Sequence, residues 1–220
     1  MSTTIPRSNF GGFLWPTMTE PSAPQEHLRY FLLYKPYGFV SQFTGEGNHR
    51  SLREFGPFPR DVYPVGRLDA DSEGLILLTN DNRIKHRLTD PKFGHARTYL
   101  VEIERVPEEK DLQKIRDGIT LRGTRTLPAK VSRLVSDPVL PNRTVPIRFR
   151  KNVPTCWIEL TLREGKNRQV RRMTAAIGHP TLRLIRTKMG FLTLTGLEPG
   201  EQRELTSREI SRLKKTLGIP

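Results

Sequence analysis

From residue 28 onward, short apolar runs alternate with polar breaks marked by Pro and Gly, and that pattern lays out the elements. LRYFLLY (28–34) is a continuous apolar run ending at Lys35-Pro36. It predicts a buried strand, because the residue before a proline is pushed out of helical geometry. LILLT (75–79), behind Gly74, is a second buried strand. RTYLVEIE (97–104) alternates cleanly and places Tyr99, Val101 and Ile103 on one face. Helices are predicted over NRIKHRL, capped by Asn80 or Asp81, and over EEKDLQKIRDG, opened by Pro107 and closed by Gly118. The span 128–155 reads as hairpin strands broken by prolines around a basic loop, Arg143 to Lys151. CWIELTL (156–162) is a further strand, and Lys166 to Ile177 has helical spacing stopped by Gly178-His179-Pro180. LRLIRT (182–187) and FLTLTGL (191–197) complete the strands. Thr206 and Glu209 spell a capping box at the start of a terminal helix. Many strands, few helices and no regular βαβ alternation predict an α+β fold with a mainly antiparallel sheet. Residues 1–26 show no periodicity and read as a flexible tail, leaving 27–220 as one domain.

Charge changes this picture most. The chain has 37 Lys and Arg against 23 Asp and Glu, a formal net charge of +14, which points to a polyanionic partner. Nucleic acid and an anionic membrane surface are the two candidates. No run approaches the length of a membrane span, and the amino terminus lacks the apolar core of a secretory signal. A single cysteine excludes an internal disulfide, the five histidines never pair at a ligand spacing, and no phosphate-cradling glycine motif occurs. The simplest reading is a cytoplasmic protein without cofactor or metal.

The densest basic segment is REGKNRQVRRM, where Arg168, Arg171 and Arg172 would share one helical face, with Lys166 just ahead. Arg183, Arg186 and Lys188 follow on the next strand. Together they are expected to contact nucleic acid, against the blander reading of a solvated basic face. Asp69, in GRLD ahead of the Gly74 strand, is the candidate catalytic acid. Its bland reading is a local turn or cap hydrogen bond. Asp71 and Glu73 stand close by, which also permits a glycosidase carboxylate pair. Tyr99 by itself reads as a core tyrosine.

YKPYGFVSQFT (34–44), VGRLDADSEGLILLTND (65–81), HRLTDPKFGHARTYLVEI (86–103), EGKNRQVRRM (164–173) and PTLRLIRTKMGFLTLTGLEPGEQREL (180–205) resemble, in order, the RsuA-type pseudouridine synthases. The resemblance implies a bent, mostly antiparallel sheet with flanking helices and a central active cleft. It implies an isomerase that detaches uracil from its ribose, turns it and rejoins it through C5, without a cofactor. The substrate implied is ribosomal RNA, that of the large subunit rather than the small; a non-catalytic RNA-binding or assembly protein is the alternative. By resemblance Asp69 is catalytic. Arg67 holds the RNA open, Tyr99 stacks near the base, Arg171 pairs with the aspartate, and Leu194 lines the base pocket. Arg97 stands where the family often has Lys, and Ser72 where Thr is usual. The small amino-terminal RNA-binding domain common in relatives is not expected in residues 1–26. The high charge favours a monomer.

Overall fold

The computed structural model describes residues 27–147 and 152–220. The expected tail, 1–26, and part of the basic loop lie outside the described residues. Thirteen strands and four α-helices occur among them. The strands are β1 (Tyr30–Lys35), β2 (Phe39–Val40), β3 (Arg50–Ser51), β4 (Tyr63–Pro64), β5 (Glu73–Thr79), β6 (Arg97–Glu104) and β7 (Thr120–Leu121). They continue with β8 (Thr124–Arg125), β9 (Lys130–Arg133), β10 (Thr155–Leu162), β11 (Thr181–Met189), β12 (Leu192–Thr193) and β13 (Gln202–Glu204). The helices are α1 (Asn82–Thr89), α2 (Glu109–Asp117), α3 (Gln169–Ala176) and α4 (Ser207–Leu217).

One sheet runs β13-β1-β5-β11-β6-β10-β9, with β12 on β11 and β4 on β5. Every pairing in it is antiparallel except β5 with β11. The expected α+β class and antiparallel sheet are therefore present. The parallel join is short, aligning Ile185 with Glu73 and Arg186 with Gly74. Gly74 is needed there: its φ is +112° and a Cβ would lie 2.3 Å from the Arg186 carbonyl oxygen.

Three apolar clusters flank the sheet. Leu32, Leu75 and Leu77 pack with Ile84 and Leu88 of α1 and Leu213 and Leu217 of α4. Tyr99, Val101 and Ile158 pack with Leu112 and Ile115 of α2 and Val170 and Met173 of α3. Phe31, Leu33, Ile76 and Leu78 pack against Leu52 and Val62 of the segment between β2 and β4. The alternation of RTYLVEIE thus does what its period predicts. The capping box forms as expected: Thr206 accepts from the Glu209 N–H, and the Glu209 carboxylate accepts from the Thr206 N–H.

Elsewhere the pattern misled. Among the described residues, the hairpin expected over 128–155 supplies β9 and the start of β10, and Pro138, Pro141 and Pro146 withhold ladder donors between them. FLTLTGL contributes two residues, β12, before the chain turns. The polar edge strand β13 has no alternation to announce it; β1 recruits it through Leu32, opposite Arg203.

Candidate active site

The loop between β4 and β5, which carries GRLD, is held from two sides. Gly38, at φ +87° in the turn after β1, donates its N–H to the Ala70 carbonyl at 2.8 Å. The buried Ser41 hydroxyl donates to the Leu68 carbonyl at 2.8 Å and accepts from the Leu68 N–H at 2.9 Å. From the opposite side, Arg171 of α3 donates through Nη2 to the Asp71 carbonyl at 2.6 Å. Arg168 donates through both terminal nitrogens to the Asp71 carboxylate, at 3.1 and 2.7 Å. Burial alone would raise the Asp71 carboxyl, but the Arg168 hydrogen bond and the charges of Arg171 and Arg168 outweigh it and hold the pKa below its ordinary value. The KPYG turn, the GRLD loop and the start of α3 are thereby fastened into one unit.

That unit presents Asp69 on the wall of a cavity of about 670 Å³. Its carboxylate is 38% exposed and lies 3.5 Å from Arg168 Nη1. Tyr99 and Arg97 of β6, Leu162 of β10, and Leu184 and Arg186 of β11 form further walls. Arg186 and Tyr99 face each other in register. The Arg186 guanidinium is buried, donates through Nε to the Leu75 carbonyl at 2.7 Å, and has an Nη2 without an acceptor. Burial disfavours its charged form, and the Tyr99 side chain is the first group that works the other way. The buried Glu164 and Gln169 close another side, Gln169 Nε2 donating to Glu164 at 2.5 Å. Arg67 stands exposed at the rim, 3.8 Å from Glu46.

The structure thus brings Asp69, Arg67 and Tyr99 to one cavity and corrects three other expectations. Arg171 reaches Asp71 rather than Asp69; the arginine beside Asp69 is Arg168. Helix α3 starts only at Gln169, and Arg168 precedes it at φ +49°, so its side chain swings to the loop instead of sharing a face with Arg171 and Arg172. Leu194 does not line the cavity; it packs on the α1/α4 side of the sheet, and Leu184 supplies the apolar wall.

The expected RNA-contact set divides as well. Arg183 is buried in a two-point ion pair with Glu73, at 2.9 and 2.8 Å, and Arg186 lies on the cavity wall, so neither is a surface phosphate ligand. Lys188 and Lys166 are exposed, although Lys166 also reaches the Arg125 carbonyl and Glu164. Arg172, part-exposed, donates to Asn167. Leu184, Glu164 and Gln169 all lie inside the family-like segments, but a strand leucine and a polar pair five residues apart show no chemistry of their own until the fold turns them toward the cavity. The clean alternation of Leu184 with Arg186 was the available signal for the first.

Residues 29–176 match the family model described as RNA pseudouridylate synthase. The chain is 51% identical over 170 residues to ribosomal large subunit pseudouridine synthase E of Xanthomonas axonopodis pv. citri, covering 76% of this chain and 89% of that protein. It is 46% identical over 186 residues to the protein of the same name from Vibrio parahaemolyticus, covering 84% and 77%. A crystal structure of a pseudouridylate synthase superposes with a TM-score of 0.71 at 34% identity, covering 86% of this chain and 75% of that one. With its GRLD loop buckled between the KPYG turn and α3 beside the cavity, and with these matches, the chain belongs to the RNA pseudouridylate synthase family.

Proposed function

We propose that this enzyme isomerises a uridine of large-subunit ribosomal RNA to pseudouridine, with Asp69 as its catalytic residue. The observation that carries the reading is the half-exposed Asp69 carboxylate on the wall of a nucleoside-sized cavity, with Tyr99 and Arg186 on another wall. The large subunit is supported by the names of the relatives at 46% and 51% identity.

A uridine stacked in RNA is out of reach, so it must leave the helix at a cost of a few kcal/mol, recovered through contacts to the backbone. Arg67, exposed at the rim, is placed to fill the gap left behind. Inside, Tyr99 offers a ring face for the base, and Leu184 an apolar wall. As the N1–C1′ bond breaks, the Asp69 carboxylate meets the positive charge developing at C1′. The freed uracil turns, C5 bonds to C1′, the C5 hydrogen leaves as a proton, and N1 takes up a proton. Atoms and electrons balance without a further reagent. In this reading Tyr99 takes the C5 proton, and Arg186, its register neighbour on β11, orients its hydroxyl. Arg171 acts on Asp69 indirectly, by fixing the Asp71 end of the loop. Residues 27–220 are the catalytic unit in this reading. The single cysteine fits a reducing compartment such as the cytoplasm, the charge of +14 favours a monomer, and no described helix is long and apolar enough to cross a membrane.

Tritium release from ribosomal RNA labelled at uracil C5 tests the reaction, since forming the new bond must displace that hydrogen. We expect release by the wild type and a loss on the order of 10⁴-fold in Asp69→Asn, with RNA affinity within about twofold. Full activity of the variant would remove Asp69 from catalysis. No release by either protein, on naked or assembled RNA, would leave an RNA-binding protein.

A further inference from the structure

A second concavity, of about 580 Å³, opens outside the catalytic cavity. Phe43, Phe58 and Tyr63 wall it, and Arg53 and Arg60 edge it. Phe58 is braced edge-on against the core residue Phe31, with ring centroids 5.4 Å apart, and tilted against Phe43 at the same distance. The aromatic wall is therefore preformed. Tyr63 is 52% exposed, and the Lys85 ammonium lies over its ring, 5.4 Å from the centroid, which adds a further cation beside the stacking surface. Both arginines are exposed, and among the described residues neither guanidinium has an acidic partner, whereas neighbouring Arg50 is bound to Glu54.

Two segments connect this groove to the catalytic cavity. Ser41 lines the cavity and Phe43 the groove; Val65 lines the cavity and Tyr63 the groove. One residue separates the two walls on each segment, and in extended chain that spacing is about 7 Å. The two linings are therefore neighbours along both segments. A strand whose uridine is in the cavity must continue across one side of it, and the groove offers stacking surfaces with unpaired cations, the combination that takes single-stranded nucleic acid.

We propose that the groove holds an unpaired base of the substrate RNA, close to the target uridine on the same strand. The base stacks on Tyr63, and the adjoining phosphates lie on Arg53 and Arg60. The assignment rests on the proposed activity toward ribosomal RNA and adds a second recognition point to it.

The test uses the full chain, the Tyr63→Ala, Tyr63→Phe and Arg53→Gln/Arg60→Gln variants, and a large-subunit rRNA transcript carrying tritium at uracil C5. Tyr63→Ala should raise KM about tenfold with kcat retained, a stacking-sized effect, and Tyr63→Phe, which keeps the ring, should restore it. The double arginine variant should make the dependence of log affinity on log salt shallower by about 1.4, from roughly 0.7 per phosphate lost. Photocrosslinking of a 4-thiouridine transcript should map to residues 43–63. Unchanged KM and salt slope in every variant, with no crosslink there, overturns the proposal. So does a Tyr63 ring shielded from nitration without RNA and uncovered by deleting residues 1–26, which gives the groove to that segment. Should the wild type release no tritium, filter binding of the same variants still decides: weakened binding keeps the groove while the isomerase reading falls, and unchanged binding rejects both.

Discussion

Lys35 shows how much the site depends on single residues. It is fully buried in β1 and donates to the Pro36 and Phe39 carbonyls at 2.9 and 2.7 Å. Burial pushes its pKa down to about 7, against the opposing pull of Glu73, Asp71 and Asp69. Between about 7 and the ordinary lysine value of 10.5 the unfolded chain holds a proton that the folded one lacks. Stability should therefore rise with pH across that window, by up to a few kcal/mol. Below it, both states are protonated and the folded protein carries the full cost of a buried ammonium. We expect urea unfolding of the wild type to show this rise and Lys35→Met to have lost that part of it. Equal pH slopes in the two proteins would mean that Lys35 stays charged in the fold. The residue scale also separates Arg168 from Arg171: three positions apart in one basic run, one borders Asp69 and the other anchors the loop behind it.

Among elements, the join between β5 and β11 is the most exposed to a single change. It is a short parallel contact, and the two halves of the sheet, β13-β1-β5 and β11-β6-β10-β9, meet through it. Gly74→Ala would put a methyl group 2.3 Å from the Arg186 carbonyl oxygen, at a φ of +112° that alanine resists. We expect a loss of about 4 kcal/mol or more, read as a lower urea midpoint. Activity should fall with it, since the shift displaces Arg186 beside Tyr99. A fold of wild-type stability would show that the join yields without cost. Elements with a strong period or a complete cap were legible in the chain: β1, β5, β6, α1, α2 and α4 stand close to where their patterns put them. Elements set by a partner were not. Strand β13 is polar and exists because β1 needs an edge, and α3 begins three residues late because Arg168 is bound to the loop carboxylate.

For the molecule as a whole, a formal net charge of +14 favours association with a polyanion. We expect RNA affinity to fall more than tenfold between about 50 and 200 mM salt, because each neutralised phosphate releases counterions. An affinity flat over that range would take phosphate contacts out of the account. The α+β class was legible in the periodicity and the GRLD segment in a contiguous motif, because both are properties of neighbouring residues, and the excess of cations is a sum over composition that no fold alters. That Leu184 rather than Leu194 walls the cavity, that Arg183 is bound to Glu73, and that Arg186 lies beside Tyr99 emerged with the packing of the sheet. Burial and pairing between residues about a hundred positions apart depend on strand register and on one glycine-permitted crossing, and a local pattern records neither.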